Sequence, residues 1–346
     1  MVVRFMKMRQ QQGVAVITVI LIVALLTTLM AYAAESQLML VRRVTNQNML
    51  EQSYQLALGG EQWISAVLQE DAENSETRDV DHFGESWNLI EESVTLDVGE
   101  VAVKVLDQSG LLNLNALANY PSSPENVHPE FEGTIWILNN LMLLLDIDTR
   151  LVGNLVDWID DNNADQPARK QGSDGTVVLY AGGAEDGHYT GLEKPYRAAN
   201  QKLSSVGELK FIKGFDKEII KKLAPFVTAL PNERQQINLN TAPEMLLAAM
   251  SNEPGGEPEN LAQILETQQN PNEVVDKEVV VGNTWLPVAQ QIVEVKSQFF
   301  TVTTEAKFGD LSYSMRSILY RSLEPDENQP NEIEPVRVVK RERILL

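Results

Sequence analysis

The chain has 346 residues, 43% of them hydrophobic, enough for about two domains with real cores. Its 28 Lys and Arg against 49 Asp and Glu give a formal net charge of −21, which argues against a nucleic-acid partner, because a polyanion is repelled unless a local basic face exists. Cysteine is absent, which excludes a disulfide scaffold, a thiolate metal site and a Cys nucleophile; the three histidines, His82, His128 and His188, lie far apart, so a His-based metal cluster or triad would have to converge from three separate regions, which weighs against an enzyme.

The first nine residues carry Arg4, Lys7 and Arg9 and no acid, and Gly13 follows. Val14 to Ala34 then runs 21 residues without a charge. About 20 apolar residues span a bilayer as a helix, and basic residues ahead of the span keep that end in the cytoplasm, with the rest of the chain outside. A secretory signal ending at Ala31-Tyr32-Ala33 is the competing reading, and a plain membrane anchor is another. The apolar run to Met30 is slightly long for a signal core, and the helical pattern does not stop there. Leu50, Tyr54, Ala57, Leu58, Ile64, Val67 and Leu68 recur at three- and four-residue steps, and no proline precedes Pro121. The spacing predicts one helix from about Val14 to about Leu68, roughly 80 Å long. Its first half sits in lipid and its second half carries a globular head.

A basic leader ending in Gly, an uncut apolar helix and an amphipathic continuation together resemble the type IV pilin and pseudopilin class. The resemblance implies cleavage by a prepilin peptidase between Gly13 and Val14 and methylation of the new N-terminus. Most members of that class have Glu as the fifth residue after the cut, and here the fifth is Thr18. A carboxylate in the bilayer is costly unless paired, and the class resemblance implies that its partner in ordinary pilins is a neighbour's N-terminal amine. A chain without it needs no such docking step, which suits a subunit at the end of a filament.

Residues 70–90 are acidic and polar and read as a loop. Val94 to Leu106 alternates around a Gly-Glu turn, as a β-hairpin does. Residues 111–295 mix Leu-rich helical runs with Gly, Pro and Asn turns, and Trp136 to Leu145 predicts a buried helix. Phe299–Ala306 and Leu311–Arg321 form a second hairpin around Phe308-Gly309-Asp310. Residues 324–346 hold three prolines and mixed charge and read as a loose tail. Joining the two hairpins into one antiparallel sheet on the long helix leaves the helical stretch as an insertion.

Within that stretch Ser205 to Thr228 reads helix, Gly turn, helix, with a local basic cluster of Lys210, Lys213, Lys217, Lys221 and Lys222. Helix-hairpin-helix modules that bind DNA use similar strings, but the overall charge and the lack of interleaved aromatics oppose that use. Gln236 to Met250 follows, and its Asn-x-Asn-Thr-Ala-Pro-Glu string places Thr241 as the N-cap of an apolar helix with Pro243 and Glu244 in the first turn. Asn113-Leu114-Asn115-Ala116-Leu117 is a weaker echo of it.

Asp157 to Asp165 packs four carboxylates and two amides into nine residues, and Glu185-Asp186 comes about twenty residues later. Oxygen donors at alternate positions, such as Asp161, Asn163 and Asp165, suit Ca²⁺, which takes 6–8 oxygens. The spacing is not an EF-hand, because Gln166 stands at the sixth position and Gly172 at the twelfth. A solvated acidic loop with Asp caps fits the same residues. Two carboxylates for glycoside hydrolysis are a third option, opposed by the absence of an aromatic sugar platform.

With these residues in view, the chain resembles the protein K family of the type II secretion system over nearly its whole length. The likeness rests on QQQGVAVITVILIVALL, on Leu155-Val156-Asp157-Trp158-Ile159-Asp160, and on Gly183-Ala184-Glu185-Asp186 with Tyr189. It continues through Pro195 to Asn200, Ser205 to Leu209, Ile237 to Pro243 and the C-terminal FFTVTTEAKFGD. It implies an α+β fold, a pilin-like long N-terminal helix plus antiparallel sheet with a large α-helical domain inserted in the sheet. The expected organisation is a cleaved leader at 1–13, a transmembrane part at 14–34, a first part of the head at 35–110, the inserted domain at 111–295, a second part of the head at 296–323 and a flexible tail at 324–346. The resemblance also implies a minor pseudopilin at the tip of the periplasmic pseudopilus, single-pass in the inner membrane with its C-terminal domain in the periplasm, supporting export of folded proteins. Implied partners are minor pseudopilins I and J, other pseudopilus and inner-membrane platform subunits, and the prepilin peptidase, with no nucleic acid. It implies structural calcium, carried over to Asp157, Asp160, Asp161, Asp165, Glu185 and Asp186 as candidates. A type IV pilus or DNA-uptake minor pilin or tip adhesin is the alternative function.

Overall fold

The computed structural model describes residues 12–344 apart from 75–76, 90–92, 97–98, 120–127, 162–182, 254, 281–283, 324 and 327–328. Residues 1–11 of the expected leader therefore lie outside the described residues.

A single helix, α1 (Gln12–Glu73), opens the chain. Its 62 residues reach about 93 Å at 1.5 Å per residue. It runs past Leu68 because its last turn still has work to do: Ala72 is buried, and Asp71 is taken by a guanidinium described below. From Val14 to Val44 its apolar side chains stand exposed. From Ser53 onward one face is covered, with Ala57, Ile64 and Leu68 buried and Tyr54, Leu58 and Val67 partly so.

The first hairpin is β1 (Val94–Leu96) and β2 (Gly99–Asp107). Along β2, Val101, Val103 and Val105 alternate inward while Lys104 and Leu106 point out. The chain then leaves the sheet. It makes a short strand β3 (Leu112–Asn113), a 3₁₀ turn, α2 (Pro129–Leu144), α3 (Leu151–Ile159) and α4 (Asp186–Tyr189). A 3₁₀ helix over Val206–Phe211 precedes α5 (Lys217–Leu223), β4 (Val227–Thr228) and β5 (Ile237–Asn238). So the helix expected from Ser205 is a tight 3₁₀ segment, and only the one after the Gly214 turn is α-helical. Next come α6 (Glu244–Ala249), α7 (Leu261–Gln269), α8 (Ala289–Ile292) and β6 (Val293–Glu294). The second hairpin, β7 (Phe299–Phe308) and β8 (Leu311–Tyr320), returns to the sheet. A small ladder of β9 (Pro325–Asp326) and β10 (Gln329–Ile333) and a long last strand, β11 (Arg337–Ile344), complete the chain.

The fold is α+β. The main sheet has the order β1-β2-β7-β8-β11, antiparallel throughout, so β2 and β7 are neighbours in space with the whole helical segment between them in sequence. Its inner face packs on α1: Ala57, Ile64 and Leu68 meet Val101, Val103, Phe300, Val302, Met315 and Leu319 in one core. Each large apolar side chain buried there contributes roughly 1.5–3 kcal/mol. A second core gathers residues from Leu112 to Val293 around α2, α3 and α6. Parallel pairs β3–β4 and β5–β6 supply the little extended structure within it.

The expectation of a flexible tail at 324–346 is corrected. Residues 337–344 are strand β11, paired along β8 from Arg337–Tyr320 to Ile344–Ser314. The strand is held from the helix side. The Val336 N–H donates to Gln69 Oε1 at 2.8 Å, and Arg341 donates to the buried Glu61 carboxylate, Nη2 to Oε1 at 2.6 Å and Nε to Oε2 at 2.9 Å. Arg343 stands over the Tyr313 ring and Arg337 over the Tyr320 ring. Its charges suit an edge strand, which natural sheets protect from further pairing with such residues.

Candidate functional site

Gly13 and Val14 fall in the first turn of α1, and Val14 starts the exposed apolar face. The helix from Val14 onward is long and apolar enough to cross a membrane. Thr18, which replaces the usual carboxylate, turns its hydroxyl onto its own helix, donating to the carbonyls of Ala15 at 2.8 Å and Val14 at 3.2 Å. That leaves position 18 uncharged and satisfies the hydroxyl within the helix, as a membrane-spanning segment would require.

The calcium candidates sit at the end of α3 and the start of α4. Asp157 lies on the buried face of α3 and Asp160 at its C-cap, both enclosed, while Asp161 is exposed. Asp165 lies outside the described residues. Glu185 is the buried N-cap residue of α4, and Asp186 begins that helix half-exposed, its Oδ1 accepting the Ala198 N–H at 2.9 Å. The two acidic stretches do meet: the Gly183 N–H donates to Asp157 Oδ2 at 3.0 Å. Gly183 allows this because its backbone presses on the Gly153 carbonyl, and a Cβ there would lie 2.3 Å from that oxygen. Tyr189 is buried beside them, edge-on to Trp158 at 5.1 Å. Its phenol is pushed up to about 12 by burial, with the nearby Asp157 and Glu185 charges adding to the shift. So Asp157 and Glu185 converge around Tyr189, whereas Asp161 faces solvent and the Asp186 carboxylate holds a backbone turn.

Thr241 of the Asn-Leu-Asn-Thr-Ala-Pro string does something other than cap a helix. The N-cap of α6 is Pro243, two residues beyond the expected Thr241. The Thr241 hydroxyl instead donates to Asp107 Oδ2 at 2.6 Å, across to the end of β2. Asn238 Nδ2 reaches the Asp81 carbonyl at 3.0 Å and the Ser297 hydroxyl at 2.7 Å. Its Oδ1 accepts the Asn240 N–H at 2.9 Å, the turn-forming bond of a short polar side chain. The echo at Asn113-Leu114-Asn115 repeats the device: Asn113 Oδ1 accepts the Asn115 N–H at 3.1 Å, directly after a parallel strand pair. Asn115 is fully buried and bonded to the Leu203 and Leu230 carbonyls, so both strings stitch loops together inside the protein.

Around Asp107 lies a polar cluster that sequence reading missed. Arg321, fully buried at the end of β8, donates to Asp71 of α1, to both oxygens of Asp81 at 2.5 Å and to the Ser297 carbonyl at 2.7 Å. Asp107 accepts the Ser109 N–H at 2.7 Å and the Ser297 hydroxyl at 2.5 Å besides Thr241. The cluster sits where the chain leaves the sheet after β2 and returns before β7. Its members come from positions 71 to 321, so no local motif announces it.

Comparison with known proteins agrees with this architecture. The family model described as type II secretion system (T2SS), protein K matches residues 110–232. Type II secretion system protein K of Pseudomonas aeruginosa is 35% identical over 320 residues, covering 90% of this chain and 90% of that protein. The protein of the same name from Pectobacterium carotovorum subsp. carotovorum is 30% identical over 325 residues, covering 90% and 93%. Among solved structures, the GspK-GspI-GspJ complex from the enterotoxigenic Escherichia coli type 2 secretion system contains a chain with TM-score 0.63 and 22% identity, covering 88% of this chain and all of that one, a likeness of fold.

Proposed function

The chain belongs to the type II secretion system protein K family, and from that membership we propose that this minor pseudopilin caps the tip of the periplasmic pseudopilus and supports export of folded proteins across the outer membrane. The observation that carries the tip position is the segment of residues 108–298 inserted between the paired strands β2 and β7. A shaft subunit needs neighbours stacked above and below its head. A second core set into the head obstructs that stacking, and a subunit at the end meets no such limit. Thr18 supports the same reading, since a terminal subunit has no neighbour ahead for a buried carboxylate to pair with.

In this reading α1 anchors the chain once in the inner membrane, with the head in the periplasm, after a prepilin peptidase has cut between Gly13 and Val14. Exposed Leu38, Met39, Val41 and Val44 extend the apolar face of α1 beyond the span. They supply a surface for partner helices once the helix leaves the lipid. The partners proposed are minor pseudopilins I and J, consistent with the complex in which the similar fold occurs. Mechanism is assembly, with no catalytic role assigned to any residue.

Calcium belongs to the proposal. The donors on the page are carboxylate oxygens, which suit a hard cation. Asp157 and Asp160 lie three residues apart at the end of α3 and Glu185 at the N-cap of α4, and all three are buried. These three would hold the ion, with Asp161, Asp165 and Asp186 as further candidates. Bound there, the ion supplies positive charge that ties the end of α3 to the start of α4.

The test is purification of the full chain from membranes of cells that also make tagged minor pseudopilins I and J. Stoichiometric recovery with both is expected. Recovery with neither, or with a pilus subunit instead, overturns the tip assignment.

A further inference from the structure

The loop following α1 is wedged between the head and the inserted domain. The Asp81 N–H donates to the Val295 carbonyl at 2.8 Å, and the Asp81 carbonyl accepts Asn238 Nδ2. Gly84 presses against the inserted domain so closely that a Cβ there would lie 2.1 Å from the Pro271 carbonyl oxygen. On the head side, Trp87 is buried edge-on against Phe300 at 5.3 Å. Glu85 hangs between these anchors, its Oε2 accepting Trp87 Nε1 at 2.6 Å and the His82 N–H at 3.3 Å.

The charges around this loop do not balance. Four buried carboxylates, Asp71, Asp81, Glu85 and Asp107, face one guanidinium, Arg321. Like charges so enclosed cannot all ionise. Donor counts say where a proton belongs. Asp107 takes hydrogen bonds from Ser109, Ser297 and Thr241, and Asp81 takes both Arg321 and the Ser297 N–H at 2.7 Å. Asp71 has Arg321 as well. Glu85 feels Arg321 only at longer range, with no direct ion pair and, at Oε1, no hydrogen-bond partner among the described residues, and its carboxyl lies within 4.8 Å of those of Asp71 and Asp81. A proton on Oε1 gives it a donor to aim at those neighbours.

We propose that residues 81–87 form a proton-held latch: neutral Glu85 keeps the loop seated between head and inserted domain, and its ionisation adds a third negative charge beside Asp71 and Asp81 that loosens the joint. The other titratable group of the loop, His82, is pushed below the ordinary imidazole range by burial, which Asp71 opposes. The inserted domain faces the cluster with the uncharged Asn238 and Thr241, and the Lys296–Asp79 pair lies at the exposed rim. Burial, reinforced by Asp81 and Asp71, pushes Glu85 up to about 8. Burial raises Asp81 too, to about 7 against the opposing charge of Arg321, and raises Asp107 against the hydrogen bonds from Ser297 and Thr241. A carboxyl raised on folding binds its proton more tightly in the folded state than in the unfolded one. Stability from Glu85 is therefore greatest at acidic pH and falls as pH climbs from the ordinary carboxylate range to about 8.

The test uses the full chain in detergent micelles, with melting temperature and amide exchange measured from pH 5 to pH 9, beside Glu85→Gln, which mimics the protonated form. Wild type and variant are expected to melt together at pH 5 and to separate at pH 9, with the variant the more stable. Exchange at the Asn238 and Ser297 amides, corrected for intrinsic rate, is expected to speed up about tenfold over that range in wild type and to change much less in the variant. Parallel melting profiles, or a wild type more stable than the variant at pH 9, overturn the latch. So does a separation at pH 9 that vanishes when calcium is added or chelated, because the cluster then takes a metal ion in place of a proton.

Discussion

Replacing Arg341 with Met asks whether the C-terminal strand is part of the head. Arg341 gives Glu61 two charge-assisted hydrogen bonds, at 2.6 and 2.9 Å, and the Ser317 hydroxyl supplies the other donor. Glu61 is buried, so removing the guanidinium leaves a carboxylate in the core with a single neutral partner. Breaking a buried ion pair from one side costs about 3–5 kcal/mol. The Arg341 side chain is 39% exposed, so solvent screens part of the pair and the expected loss is about 2–3 kcal/mol. Urea unfolding of the full chain in micelles, followed by tryptophan fluorescence, reads it directly, because Trp87 lies in the same core. The double variant Glu61→Leu with Arg341→Met should recover much of the loss, since no charge is then left unpaired. A single variant within about 0.5 kcal/mol of wild type would refute the docking of β11, because that is the range of surface substitutions without a structural role.

Three further outcomes are expected. Thr241→Val removes the hydroxyl bonded to Asp107 and should cost about 2 kcal/mol; a double-mutant cycle with Asp107→Asn should show coupling, and strict additivity would restore Thr241 to a merely local role. Gly13→Ala should leave the leader attached, seen as a heavier chain by mass spectrometry, and should weaken secretion; normal processing, or a mature chain starting near Ala34, would contradict the peptidase assignment. A chelator should lower the melting temperature of the full chain in micelles, with calcium restoring it, and Asp157→Asn should blunt that response; an unmoved melting curve removes the calcium proposal.

Much of this fold was legible because its signals are local. The uncharged run from Val14 and the spacing of Ala57, Ile64 and Leu68 specify a helix by themselves, and alternation in Val101, Val103 and Val105 specifies a strand. Strand β11 was not legible. Its Arg, Lys and Glu residues read as solvated tail, and what orders them is Glu61, 280 residues away. Thr241 misled for the same reason: its sequence neighbours describe a helix N-cap, but its partner Asp107 lies 134 residues back. At the candidate calcium site, the density of acids from Asp157 to Asp165 drew attention to the stretch and the family resemblance supplied the candidates, while the approach of Glu185 depends on the close backbone contact at Gly183. The carboxylates around Arg321 come from α1, the loop after it and the end of β2, so only the assembled fold brings them together.

The tip position is tested most directly by where this chain lies on the filament. Pseudopili assembled with an epitope-tagged copy and labelled with gold should carry label at one end and none along the shaft. Label repeated along the shaft would contradict the account.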